Sequence, residues 1–308
     1  MALTLLSVRG RVRSASYCLR GLLAAVTLLA SVGAQAARAA PSQVSVTCPS
    51  SPCSTSLIQS AIDSPSTAPG TTIVIGPGTY DGDLTIDKSV TLKARWVGVT
   101  LNGENSSTSP GATVTADAGT TATIDGLTIT GGFGNSSAWG GGIRVAGATL
   151  TVSNSVVTGN TSDPSSGSVG GGVFNSGVLT VVDSVISQNK AGFGGGLDND
   201  ATLNMSGALV LDNTAGPNGN GGGLDNGIGA MTRINDSAFL GNTATGGSGG
   251  AIDDYHATLS ISDSVLINNS STYVGGGLYV WSGTAPPSIS NDLIIGNTPD
   301  NCGGSFTC

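Results

Sequence analysis

The hexapeptide GGGLDN stands at residues 194–199 and again, letter for letter, at 221–226. Its glycine triplet belongs to a series at 140–142, 170–172, 194–196, 221–223, SGG at 248–250, and 275–277. The steps are 30, 24, 27, 27 and 27 residues. Each triplet leads into an alternating stretch such as TLTVS or TLSIS, a short turn, a second apolar pair and an Asn. A recurring period between 20 and 50 residues is the signature of a solenoid. Each unit holds about three short period-two segments and no helical periodicity, which excludes leucine-rich and helical repeats. Three strands per rung, each on its equivalent about 4.8 Å away, make a parallel β-helix. Composition agrees: 49 of 308 residues are Gly, and only 10% are charged, against roughly 25% in an average protein.

The repeat assigns columns. Ile143, Val173, Leu197, Leu224, Ala251 and Leu278 are expected as one inward stack, and Val152, Val181, Met205, Ile234, Ile261 and Ile289 as another. The closing Asn recurs as Asn160, Asn189, Asn213, Asn242, Asn269 and Asn297. Asn tolerates left-handed backbone and bonds neighbouring backbone groups, so this ladder belongs to the scaffold. LIQSAI (57–62) puts Leu57, Ile58, Ala61 and Ile62 on one helical face, predicting a cap over 55–63 that shields the first rung from edge pairing. The fold expected is all-β: a single parallel β-helix over 71–308 with about nine rungs, preceded by a disulfide segment and capping helix at 41–70.

Residues 1–40 read as an export signal. Arg9, Arg11, Arg13 and Arg20 precede the apolar run 21–33, and AQAARAA follows, with Sec-type cleavage expected near Ala36 or Ala39. Without it, 6 basic residues face 19 acidic ones, a net charge of −13. Nucleic acid and anionic membranes are poor partners for that charge. No later apolar run is long enough to span a bilayer. A secreted or cell-surface monomer is therefore expected. The cysteines left, Cys48/Cys53 and Cys302/Cys308, read as two local disulfides. Zinc is the alternative, but the spacings are loose and the sole His, His256, is remote in sequence. The Cys302–Cys308 loop is expected to plug the far end.

Two stretches resemble known families. Residues 57–94, with PGTTIVIGPGTYDGDLTIDKSVTLKA, resemble the opening of pectin-lyase-like right-handed β-helix proteins. The later units resemble the repeat of polymorphic outer membrane proteins: GGAI stands at 249–252 and FLGN at 239–242, with degenerate copies elsewhere. The resemblance implies a right-handed coil, in keeping with the general preference of crossover connections. Autotransporter relatives carry a membrane barrel at the C-terminal end. The sequence to Cys308 has none, so outer-membrane insertion is not expected. This fold hosts lyases, hydrolases, adhesins and structural proteins, so it does not fix function.

Enzyme signatures of pectate lyases and polygalacturonases are absent. Asp253–Asp254 stands close to His256, but AIDDYHATL reads equally as a rung with a two-residue turn insertion, and His256 as a turn residue. GFGGG and GNGGG lack the Lys-Ser/Thr of a phosphate loop. One column remains. If the first residue after the triplet points inward, the next points out: Arg144, Phe174, Asp198, Asp225, Ile252 and Tyr279. Two positions on stand Ala146, Ser176, Asp200, Gly227, Asp254 and Trp281. Asp198 and Asp225 would then lie on adjacent rungs, about 4.8 Å apart at Cα. Carboxylates that close need a shared proton or a cation, and calcium is the candidate. A spacing of about 5 Å also suits a retaining glycosidase. Phe174, Tyr279 and Trp281 could stack on sugar rings. Three readings stay open: a solvated acidic face, a cation- or glycan-binding face with Phe174, Asp198, Asp225, Asp254, Tyr279 and Trp281, and a catalytic site. The scarcity of His, Lys and Arg favours a non-catalytic, adhesive or glycan-binding module over a polysaccharide lyase or glycoside hydrolase.

Overall fold

In the computed structural model the described residues are 42–308, except 106, 109, 136–138 and 166. The expected signal segment and its cleavage sites lie outside them. Period-two strands with one buried face coil into a right-handed parallel β-helix of about nine turns. Three long sheets of ten, ten and nine parallel strands run its length. Their inward positions are mostly Val, Ile, Leu and Ala, nearly all fully buried. Burying one such large side chain contributes about 1.5–3 kcal/mol, and here each also lies on its equivalents above and below.

The first sheet carries the stack Val152, Val181, Met205, Ile234, Ile261 and Ile289 in register. The third aligns Ile143, Val173, Leu197, Leu224, Ile252 and Leu278. Ile252, not Ala251, therefore occupies the fifth place. The triplet of that rung is GGA at 249–251, because Gly249 has the left-handed backbone (φ 69°) that Gly221 (φ 63°) has one rung before. The rungs also differ from three strands each. Between the second and third sheets, six rungs add a two-residue strand, such as Thr214–Ala215 and Thr243–Ala244, in a short fourth sheet.

Asn side chains fill the corner after the second sheet. Each ladder Asn donates its Nδ2 to Oδ1 of the next, from Asn160 through Asn189, Asn213, Asn242 and Asn269 to Asn297, at 2.9–3.0 Å. Asn297 passes the chain on to Asn301. A serine corner does similar work between the first two sheets: Ser155, Ser184, Ser237 and Ser264 each accept a backbone N–H from the preceding rung at 3.1 Å.

Helix α1 (Ser56–Asp63) closes the N-terminal end. Ile58 and Ile62 are fully buried, whereas Leu57 is 41% exposed and lies outside the buried face. Gln59 does what a neighbouring strand would do: its Nε2 donates to the Thr85 carbonyl and its Oε1 accepts the Thr85 N–H. Lys88 Nζ donates to the Ile62 and Ser64 carbonyls at the helix C-terminus, where a cation is favoured. Disulfides join Cys48 to Cys53 and Cys302 to Cys308. The C-terminal segment is more than a looped plug: Cys302–Gly304 is a strand paired with Leu278–Val280.

Candidate functional site

The third sheet is built from three-residue strands, and GGGLDN explains how. Gly221 takes the left-handed turn (φ 63°), and a Cβ on Gly222 would lie 2.4 Å from the Gly250 carbonyl oxygen. Leu224 then points inward, Asp225 out and Asn226 in. The motif's two polar residues therefore serve opposite sides of one strand. Inside, Asn175, Asn199 and Asn226 form a second buried ladder, each donating Nδ2 to the next, and Asn226 donates to Asp254 Oδ1 at 2.9 Å. Asp254 ends this ladder as its acceptor. The residue expected on the outer face is thus fully buried within the coil. A one-residue shift of the triplet flips every later side chain of its strand.

Outside, the aligned column reads Arg144, Phe174, Asp198, Asp225, Asp253 and Tyr279. Asp253, not Ile252, follows Asp225, so three carboxylates occupy consecutive rungs. They lie along a cavity of about 500 Å³. Its lining is completed by Val169, Phe193 and Asn220, which precede strands of this sheet, and by Asp200, Ile228, Tyr255 and Trp281, which follow them. Gly227 leaves the space for Asp200 to fold across, since a Cβ there would meet Asp200 Oδ1 at 2.4 Å. Tyr255, not Asp254, stands between Gly227 and Trp281 in this second column. Its ring meets Trp281 edge-on at 4.9 Å.

The electrostatics follow from burial and crowding. Asp198 is 6% exposed, and its carboxyl is held well above the usual range by burial, then by Asp225 and Asp200. Asp225 is pushed up to about 7 by burial and by Asp200. Asp253 is fully buried and raised well above the usual range by burial and by Asp225. Its Oδ2 accepts the Trp281 indole N–H at 2.9 Å, which partly offsets that rise, while its Oδ1 has no partner among the described residues. No side-chain hydrogen bond reaches Asp198 or Asp225 among the described residues, and no Lys, Arg or His lines the cavity.

The structure thus brings together Asp198, Asp225 and Trp281 and adds Asp200, Asp253 and Tyr255. It leaves out Asp254 and Phe174; Phe174 is buried against Trp139 with ring centroids 5.1 Å apart. Tyr279 lies in an adjoining cavity that shares Trp281. His256 is a turn residue, with left-handed backbone (φ 54°) and its ring against Tyr255. Among the described residues, no group of three or more His, Cys, Asp or Glu side chains could hold a metal ion.

No protein-family model and no curated protein matches the sequence. Among solved structures, the chain is similar to the pectin methylesterase from Aspergillus niger in deglycosylated form, with a TM-score of 0.53 and 15% identity over 85% of this chain and 88% of that one. A PL6-family alginate lyase matches with a TM-score of 0.36 and 14% identity over 83% of this chain and 39% of that one. At such identities the likeness speaks for architecture alone. The chain has the pectin-lyase-like fold, a right-handed parallel β-helix.

Proposed function

We propose that the protein is an exported, glycan-binding β-helix whose saccharide seat is the acidic cavity on the third sheet. One observation carries the reading: Asp198, Asp225 and Asp253 border a cavity in which, among the described residues, only the Trp281 indole N–H donates to them. Sugar hydroxyls are the missing donors, and the aromatic edge made by Tyr255 and Trp281 suits the apolar face of a pyranose. A volume of about 500 Å³ falls within the range of ligand pockets. The two disulfides fit an oxidising compartment. Among the described residues, no helix is long and apolar enough to cross a membrane. Glycan capture outside the cell would make the protein an adhesive module.

A second reading has its own support. Asp225, with its pKa near 7, stands one rung from Asp198, which is held well above the usual range. One protonated and one ionised carboxylate are what glycoside hydrolysis requires. Retention on a glycan array and product release from a polysaccharide panel, with and without calcium, separate the readings. The expected result is retention by wild type, its loss on Asp198→Asn with Asp225→Asn, and no product. Product formation that this double variant abolishes would replace binding by hydrolysis. Calcium between Asp198 and Asp225 is the competing occupant of this seat: a melting temperature that rises with calcium in wild type but not in the double variant would favour it.

A further inference from the structure

We infer that the cavity on the third sheet selects a sugar bearing an ammonium group, a deacetylated hexosamine within an oligosaccharide, over neutral and uronate sugars. This rests on the saccharide-seat reading and narrows it. Four carboxylates (Asp198, Asp200, Asp225 and Asp253) line the cavity and, among the described residues, no basic side chain does. A uronate would bring a negative group into a space where burial and crowding already disfavour negative charge.

Asp253 gives the independent indication. It is fully buried, it lines the cavity, and its Oδ1 has no partner among the described residues while Oδ2 is held by Trp281. A buried carboxylate oxygen left without a donor is costly. An ammonium carries three N–H donors and a full positive charge. It could satisfy that oxygen and relieve the repulsion along the column.

A metal ion would supply charge too, but the remaining walls speak for an organic cation. Calcium takes six to eight oxygens, whereas among the described residues no three carboxylates converge to hold a metal ion, and Val169, Phe193, Ile228, Tyr255 and Trp281 wall the cavity beside Asn220 and the aspartates. Such walls pack against ring carbons, and the aromatic pair adds attraction for an ammonium. Without ligand, burial and mutual repulsion favour the protonated carboxyls. An incoming cation reverses that balance, so binding should release protons.

The test is isothermal titration calorimetry at about pH 6, where a sugar amine is protonated, in two buffers of different ionisation enthalpy. The probes are a glucosamine tetramer, an N-acetylglucosamine tetramer, a galacturonate tetramer and calcium chloride. The glucosamine tetramer should bind about tenfold or more tightly than either other sugar, with net proton release. Asp225→Asn should lose that preference. Asp200→Asn, at an exposed position, should weaken it in the same direction. Equal affinity for glucosamine and N-acetylglucosamine tetramers overturns the ammonium inference and leaves the saccharide seat standing. Binding of no tetramer overturns both. Calcium binding that excludes the glucosamine tetramer and disappears in Asp225→Asn also overturns it, by naming a different cation.

Discussion

Asp225 shows what a single position costs this fold. Its carboxyl is raised from 3.8 to about 7, so between about pH 4 and 7 the folded chain holds a proton that the unfolded chain has released. Stability must therefore fall as pH rises through that window. The shift corresponds to at most about 4 kcal/mol, and Asp198 and Asp253 push in the same direction. Asp225→Asn should raise the melting temperature by several degrees at pH 8 and leave it nearly unchanged at pH 4. A variant that melts with wild type at both pH values would show that Asp225 is not destabilised by its surroundings. The sequence exposes Asp198 and Asp225 because their hexapeptides are identical. It hides Asp253, because SGG and GGA overlap at 248–251 and only the left-handed turn at Gly249 settles which triplet leads the strand. The same shift carries Asp254 from the outer face to the inner ladder.

At the scale of the element, glycine and asparagine hold the corners that the strands cannot. A Cβ on Gly222 would lie 2.4 Å from the Gly250 carbonyl oxygen and 2.6 Å from Thr243 backbone, whereas one on Gly229 would meet nothing within 4 Å. Gly222→Ala must push two rungs apart and should cost several kcal/mol or prevent folding. Gly229→Ala meets only its left-handed backbone (φ 75°) and should cost about 1–2 kcal/mol. Equal losses for the two in denaturant melts would remove close rung packing as the reason for the triplet. Asn213 donates to the Ile186 carbonyl and Asn242 Oδ1, and accepts from Asn189 N and Nδ2, all at 2.9–3.0 Å. Asn213→Ala strands those buried partners and should cost about 1–3 kcal/mol, read as a lower urea midpoint with unchanged slope. The Asn column is legible because it recurs by name. The serine corner is masked by Ala208 and Asp292 standing in its column, and the inner Asn175–Asn226 ladder by sharing a motif with the aspartates.

At the scale of the molecule, period and alternation suffice to give a coil of about nine rungs, because each rung repeats one local problem and its solution. The fourth sheet escapes that reading, since two-residue strands have no period to detect. Ends differ from rungs because each leaves edge strands with one unpaired side. Leu84–Ile86 is the first strand of the third sheet, and an open edge there would invite a second chain. Helix α1 prevents this in two ways: Ile58 and Ile62 cover the core, and Gln59 occupies both the N–H and the carbonyl of Thr85. Ile58→Asp with Ile62→Asp should lift the helix away and uncover both core and edge. Size-exclusion chromatography with light scattering should then find concentration-dependent oligomers, with circular dichroism still showing a β-helix. Gln59→Ala alone frees the edge but leaves the apolar cover, so it should shift the mass much less. Oligomers of equal extent in both variants would assign the protection to the Gln59 pairing. A double variant that stays monomeric would show that the end of the coil needs no cap.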